Sequence, residues 1–159
     1  IFLLKSFTKF GLGLVTVVVL AFCVVKIGYT TGVFDLFHIG HLNILKRAKE
    51  QCEYLIVGVS TDECVRTYKQ KIPVIPFEDR SAIVAAIRYV DRVVPQISMN
   101  KLDALKEYKF DVMFHGDDWK NSDMYNEIEQ NFKEHNVDLI FLPHTNGVSS
   151  TEIVNKIQR

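Results

Sequence analysis

From residue 25 onward, short apolar runs alternate with amphipathic stretches, and that alternation fixes the fold class. Tyr54-Leu55-Ile56-Val57-Gly58-Val59 is almost continuously apolar, the pattern of a strand covered on both faces of a parallel sheet. Strands of this kind separated by helices give an α/β architecture, a Rossmann-like doubly wound parallel sheet. The pattern predicts strands over 24–30, 54–59, 92–95, 111–115 and 138–142. It predicts helices over 38–51, 61–68, 77–89, 101–108, 122–135 and 149–157. Residues 69–76, punctuated by Pro73 and Pro76, read as a loop. The chain of 159 residues shows no repeat, and residues 26–159 read as a single domain.

Ligands of such folds bind beyond the carboxyl ends of the strands. His38 and His41, in Gly32-Val33-Phe34-Asp35-Leu36-Phe37-His38-Ile39-Gly40-His41, occupy such an end, between the first strand and the first helix. Free amides and the positive end of a helix dipole favour phosphate there. Gly40 lets an anion approach the backbone. Two imidazoles and a glycine at this turn are suited to a triphosphate, whereas a lone histidine would read as incidental.

Three further segments lie at strand ends. Lys69-Gln70-Lys71-Ile72-Pro73, followed by Glu78-Asp79-Arg80, offers a lysine able to reach a phosphoryl group, although alone it reads as a solvated loop. His115-Gly116-Asp117-Asp118-Trp119 combines a tight turn, two carboxylates and the single tryptophan. Asp117 or Asp118 can accept from a base or ribose, or cap the next helix; Trp119 can wall a pocket. Thr145-Asn146-Gly147-Val148-Ser149-Ser150-Thr151 opens the last helix with hydroxyls and free amides. It is equally a simple cap, with Ser149 at the N-cap and Glu152 in the first turn.

Formal net charge is zero and no basic block stands out, which argues against a nucleic-acid surface. Cys23, Cys52 and Cys64 form no metal-ligand spacing, and their odd, scattered set suits a reducing compartment. Residues 1–25 form an apolar N-terminal extension with Lys5 and Lys9 as its only charges. The run from Phe10 to Val25 falls between a core helix and a bilayer span in length. It reads as a short membrane helix, the apolar part of a signal peptide or an interfacial anchor. A start at Val25, with residues 1–24 untranslated, is the remaining reading.

These motifs, with Ser60-Thr61-Asp62-Glu63 and Arg88-Tyr89-Val90-Asp91, resemble in order and spacing the cytidylyltransferase family, over about residues 26 to 157. The closest likeness is to bacterial members that use glycerol 3-phosphate. The resemblance implies a nucleotidyltransferase condensing CTP with a small phosphomonoester to a CDP-alcohol and pyrophosphate. It implies that His38 and His41 bind phosphates and stabilise the transition state, and that Lys71 and Arg88 lie near the phosphates of the two substrates. Gly32, Val33, Phe34, Asp35, Gly40, Gly116, Asp117, Asp118, Trp119, Thr145, Gly147, Val148, Ser149, Ser150 and Thr151 would bind the nucleotide. Mg²⁺ is expected on the triphosphate, held by phosphate and water rather than by a protein cage. Asp35 would orient a histidine or contact that ion indirectly. A homodimer with Arg88–Asp91 near its contact is expected, in the cytoplasm or at the inner face of the membrane.

Two positions depart from the family pattern. Val33 replaces a threonine, and His144 replaces an arginine. Two rivals follow: an adenylyltransferase acting on a sugar phosphate, which shares the histidine motif, and a non-catalytic, membrane-tethered nucleotide-binding module.

Overall fold

Strand β1 (Ile27–Gly32) lies at the centre of a five-stranded sheet in which every pairing is parallel. The computed structural model describes residues 25–120 and 122–158. After β1 come α1 (Ile39–Lys49), β2 (Tyr54–Ser60), α2 (Asp62–Lys69), α3 (Phe77–Ala85) and β3 (Arg92–Gln96). Then follow α4 (Lys101–Tyr108), β4 (Val112–Gly116), a single 3₁₀ turn (Asp117–Trp119), α5 (Asp123–Glu134), β5 (Asp138–Leu142) and α6 (Ser150–Ile157). The spatial order is β3-β2-β1-β4-β5. The chain winds outward from β1 to β3, returns to the other side of β1, and winds outward again, as a doubly wound sheet does. The expected fold class is therefore the observed one.

The apolar strands are buried for the reason their sequence indicates. All of β2 after Tyr54 is buried. One core packs α1 and α3 on the sheet through Leu45, Ala48 and Val84. The other packs α4 and α5 on the opposite face through Leu105, Tyr125, Ile128 and Phe132. Tyr29 of β1 enters this second core and stacks on Phe110 with ring centroids 4.7 Å apart. Cys52 and Cys64 are free thiols buried in the structure.

Two boundaries differ from the sequence-based expectation by three residues or more, the start of β1 and the end of α3. β1 runs over Ile27–Gly32 rather than 24–30, because pairing with β2 begins at Ile27–Tyr54 and continues to Gly32–Val59. α3 stops at Ala85 rather than 89; Ile87 and Val90 fold back onto the core through successive turns. The apolar stretch 1–24 lies outside the described residues, and with it the membrane reading. Among the described residues no helix is long and apolar enough to cross a membrane.

Candidate active site

α1 lacks a serine, threonine or aspartate at its start, and His38 caps it instead. Its Nδ1 accepts from the Gly40 amide at 3.1 Å, while His41 Nδ1 accepts from the His38 amide at 3.4 Å. The two rings stack, with centroids 3.9 Å apart. Because each Nδ1 is an acceptor, each neutral ring carries its proton on Nε2 and offers an N–H donor. Burial holds His38 below the usual imidazole range, with His144 adding to the effect. Burial and the adjacent His38 bring His41 down to about 3. The pair thus presents two neutral N–H donors, so its part in the site is directional hydrogen bonding rather than fixed charge. A Cβ at Gly40 would lie 2.9 Å from the His38 ring, so the glycine makes room for this cap.

The turn before α1 is strained. Phe34 and Leu36 adopt φ of 55° and 47°, uncommon for side chains of this bulk. The buried Phe34 ring meets His41 edge-on at 5.4 Å, and Phe37 lies 5.5 Å from it. The hydrogen bonds of the Asp35 carboxylate go to backbone amides. Its Oδ1 accepts from the Leu36 and Ile75 amides at 3.0 and 2.9 Å, and its Oδ2 from the Val74 amide at 2.8 Å. Its carboxylate fastens the 69–76 loop, and its charge still acts on the His41 ring.

Arg80 completes that fastening. It is 1% exposed and donates to the carbonyls of Ile75 and Val33, and its guanidinium pairs with Asp62. The loop so held carries Lys71, which with Lys69, Val33, Asp35, Ser150 and Thr151 lines a cavity of about 470 Å³.

The last segment closes over the same edge. Gly147 sits at φ +78°, a left-handed turn that suits glycine. Ser149 is the N-cap of α6 and accepts from the Glu152 amide at 3.1 Å, so the simple cap is realised. The Ser150 and Thr151 amides belong to the first turn, where no intrahelical partner exists. Ser150 Oγ donates to the Asp35 carbonyl at 2.8 Å, and Asn43 Nδ2 donates to Thr145 Oγ1 at 3.1 Å. Val148 reaches to 3.5 Å of the Cβ position at Gly40. The histidine turn and the start of α6 therefore share one crevice.

Asp117 Oδ1 accepts from the His144 amide at 3.0 Å, so it ties the β4 turn to the last loop. Neither Asp117 nor Asp118 caps the following helix, whose N-cap is Ser122. Gly116 ends β4 at the carboxyl edge of the sheet. The Trp119 side chain lies outside the described groups. Arg88 is not brought to this crevice. It is exposed in the turn before β3, next to Asp91, whose carboxylate takes Lys49 and the Leu55 amide at the amino edge of the sheet.

Sequence reasoning passed over Lys101, the first residue of α4. It is 2% exposed, and its Nζ has one hydrogen-bond partner among the described residues, Thr31 Oγ1 at 3.4 Å. No carboxylate pairs with it among those residues. Burial brings its ammonium down to about 8. His115 nearby is brought down to about 4, again chiefly by burial. The sequence carried one weak signal, an asparagine cap followed by lysine at the end of a strand. Among the described residues no three metal-ligating side chains converge.

The comparisons with known proteins agree with this geometry. A family model described as cytidylyltransferase-like matches residues 29–156. A glycerol-3-phosphate cytidylyltransferase of Bacillus subtilis (strain 168) is 37% identical over 129 residues, 80% of this chain and 94% of that one. An ethanolamine-phosphate cytidylyltransferase of Mus musculus is 35% identical over 133 residues, 79% of this chain and 31% of that one. Among solved structures, a lipopolysaccharide core biosynthesis protein from Thermoplasma volcanium GSS1 superposes with a TM-score of 0.65 at 26% identity. It covers 76% of this chain and 97% of its own.

Proposed function

The chain belongs to the cytidylyltransferase-like family and is a nucleotidyltransferase; from that premise we propose that it joins CTP to glycerol 3-phosphate, giving CDP-glycerol and pyrophosphate. The single observation that carries the site assignment is the shared crevice of the His38–His41 pair and the start of α6.

The acceptor phosphate is already an anion, so no general base is required. One of its oxygens forms a bond to the α-phosphorus of CTP while the bond to the bridging oxygen breaks, and pyrophosphate leaves with that electron pair. Bringing two anions together and stabilising charge on the α-phosphoryl and the leaving group is work for positioning and electrostatics. In this reading the Nε2–H groups of His38 and His41 donate to the phosphoryl oxygens. The amides of Ser150 and Thr151 and the dipole of α6 hold the terminal phosphates. Lys71, with Lys69 beside it, supplies the charge that the neutral imidazoles do not. Gly116, Asp117, Asp118 and Trp119 border the nucleoside end. Mg²⁺ bound to the triphosphate by phosphate oxygens and water would offset part of its charge. The free buried cysteines and the CTP chemistry suit a cytoplasmic enzyme. Arg88, at the amino edge, belongs in this reading to the contact of a homodimer rather than to the site of its own chain.

The test is pyrophosphate release by the full chain with CTP or ATP and a panel of phosphorylated alcohols. Release with CTP and glycerol 3-phosphate is expected. Preference for ATP would make it an adenylyltransferase, and CTP binding without release under any acceptor would make it a binding module. Light scattering of the same sample reads the dimer.

A further inference from the structure

Resting on the cytidylyl transfer proposed above, we propose that Asn43 is a positioning residue for the nucleotide. Its side-chain amide donates to the Thr145 hydroxyl, so the proton of that hydroxyl is left to donate to an oxygen of the bound nucleotide.

One face of α1 grips the segment between β5 and α6 in register. Gly40, Asn43 and Arg47 follow the spacing of three and four that puts residues on one side of a helix. Each meets its own point of that segment, which runs past α1 in the opposite direction. A Cβ added at Gly40 would lie 3.5 Å from Val148. One turn further along α1, Asn43 Nδ2 donates to Thr145 Oγ1 at 3.1 Å. A turn beyond that, Arg47 donates to the Pro143 carbonyl at 2.5 Å. Between the last two points the His144 amide donates to Asp117 Oδ1 at 3.0 Å. Pro143, His144 and Thr145 are thus each tied by a side chain of α1 or of the β4 turn. Helix α1 also begins with the His38–His41 pair, so one rigid element sets both the imidazoles and the Thr145 hydroxyl.

The direction of the Asn43 bond determines what Thr145 can do. A hydroxyl has one proton and two lone pairs. Asn43 Nδ2 fills a lone pair, and no acceptor for the proton lies among the described residues. Ser150 shows the opposite commitment: its proton goes to the Asp35 carbonyl, so toward a ligand its oxygen can only accept. The phosphate oxygens of a nucleotide are acceptors, and Thr145 serves them only with its proton outward. The Asn43 amide keeps it so without adding charge. A carboxylate at this position would take the proton itself and would repel a triphosphate.

The experiment follows steady-state pyrophosphate release by the full chain, varying CTP at saturating glycerol 3-phosphate, with the dissociation constant for CTP measured alongside by calorimetry. The proteins are the wild type, Asn43→Ala, Asn43→Asp, Thr145→Val and the double variant Asn43→Ala/Thr145→Val. KM for CTP should rise about fivefold in Asn43→Ala and in Thr145→Val, the size of one lost hydrogen bond, with kcat within about twofold of the wild type. The double variant should be no worse than Thr145→Val, because Asn43 then has no hydroxyl to turn. Asn43→Asp should raise KM by about 30-fold or more, since it reverses the hydroxyl and adds a like charge beside the phosphates. A role in packing alone would make this near-isosteric variant milder than Asn43→Ala. Single effects that multiply in the double variant overturn the proposal. So does a KM in Asn43→Asp at or below that of Asn43→Ala, or, where the alanine variant does not fold, one equal to that of the wild type. Failure of the wild type to release pyrophosphate would instead overturn the transferase reading; the CTP dissociation constants, expected in the same order as KM, would still decide the role of Asn43.

Discussion

The hydroxyl of Ser150 donates to the backbone carbonyl of Asp35 across 2.8 Å, joining the start of the last helix to the turn after the first strand. The two residues are separated by nearly the whole domain in sequence, and each belongs to a different phosphate-facing segment. Asp35 spends its carboxylate on the 69–76 loop and its carbonyl on α6. It therefore acts as the junction that sets three walls of one crevice.

Ser150→Ala should loosen the seat of the terminal phosphates without touching the histidines. A hydrogen bond of this kind contributes about 1 kcal/mol, so KM for CTP should rise about fivefold while kcat changes less. An unchanged KM would mean that α6 keeps its place by packing alone.

His41→Ala should lower kcat by about 10²-fold or more, in line with loss of one preorganised donor to a developing oxyanion. The stack with His38 and the amide bond to Nδ1 fix the ring so that its Nε2–H is the group available to substrate. Near-normal turnover in a single-turnover measurement would remove this ring from the chemistry.

What the sequence disclosed and what it concealed divide along the range of the interactions. The histidine turn and the α6 start were readable because a strand end followed by a helix start is a local pattern. The same holds for the continuously apolar β2. The true edge of β1 was not readable: the apolar run continues upstream, and Thr31 and Gly32 look unlike a strand until Gly58 and Val59 pair with them. Arg80 reads as a solvated charge in Glu78-Asp79-Arg80, yet its partners, Val33 and Asp62, arrive from distant segments. Lys101 carries no motif, and its burial is a product of the fold alone. Arg88 was grouped with the phosphates by likeness, whereas the parallel sheet sets it at the other edge from the histidines.

Arg80→Ala should be the most damaging single change near the site. It leaves Asp62 partly buried without its cation and strips two carbonyls of their donor. Asp62 keeps part of its hydration, so the loss comes mainly from the carbonyls left without a donor, about 1–3 kcal/mol for each such group, which urea unfolding would show directly. Asp35→Asn should be milder in stability and should act mainly on substrate KM, because it weakens only the fastening of the loop. Equal stability losses in the two variants would contradict this division of roles.

Acid should unfold the domain through its buried imidazoles, His41 and His115 above all. His41 and His115 stand at about 3 and about 4 in the folded protein, against an ordinary value of 6.5. Between those values and 6.5 the unfolded chain binds more protons than the folded one, so stability rises with pH across that window. Their contribution is fully present above about 6.5 and is lost progressively as pH falls below it. Urea midpoints should therefore hold steady between about pH 7 and 8 and drop from about pH 6.5 to pH 5, where partial relief is expected in His115→Gln. A midpoint that is flat across the acid range, or a His115→Gln profile parallel to that of the wild type, would show that these rings are solvated rather than held neutral by burial.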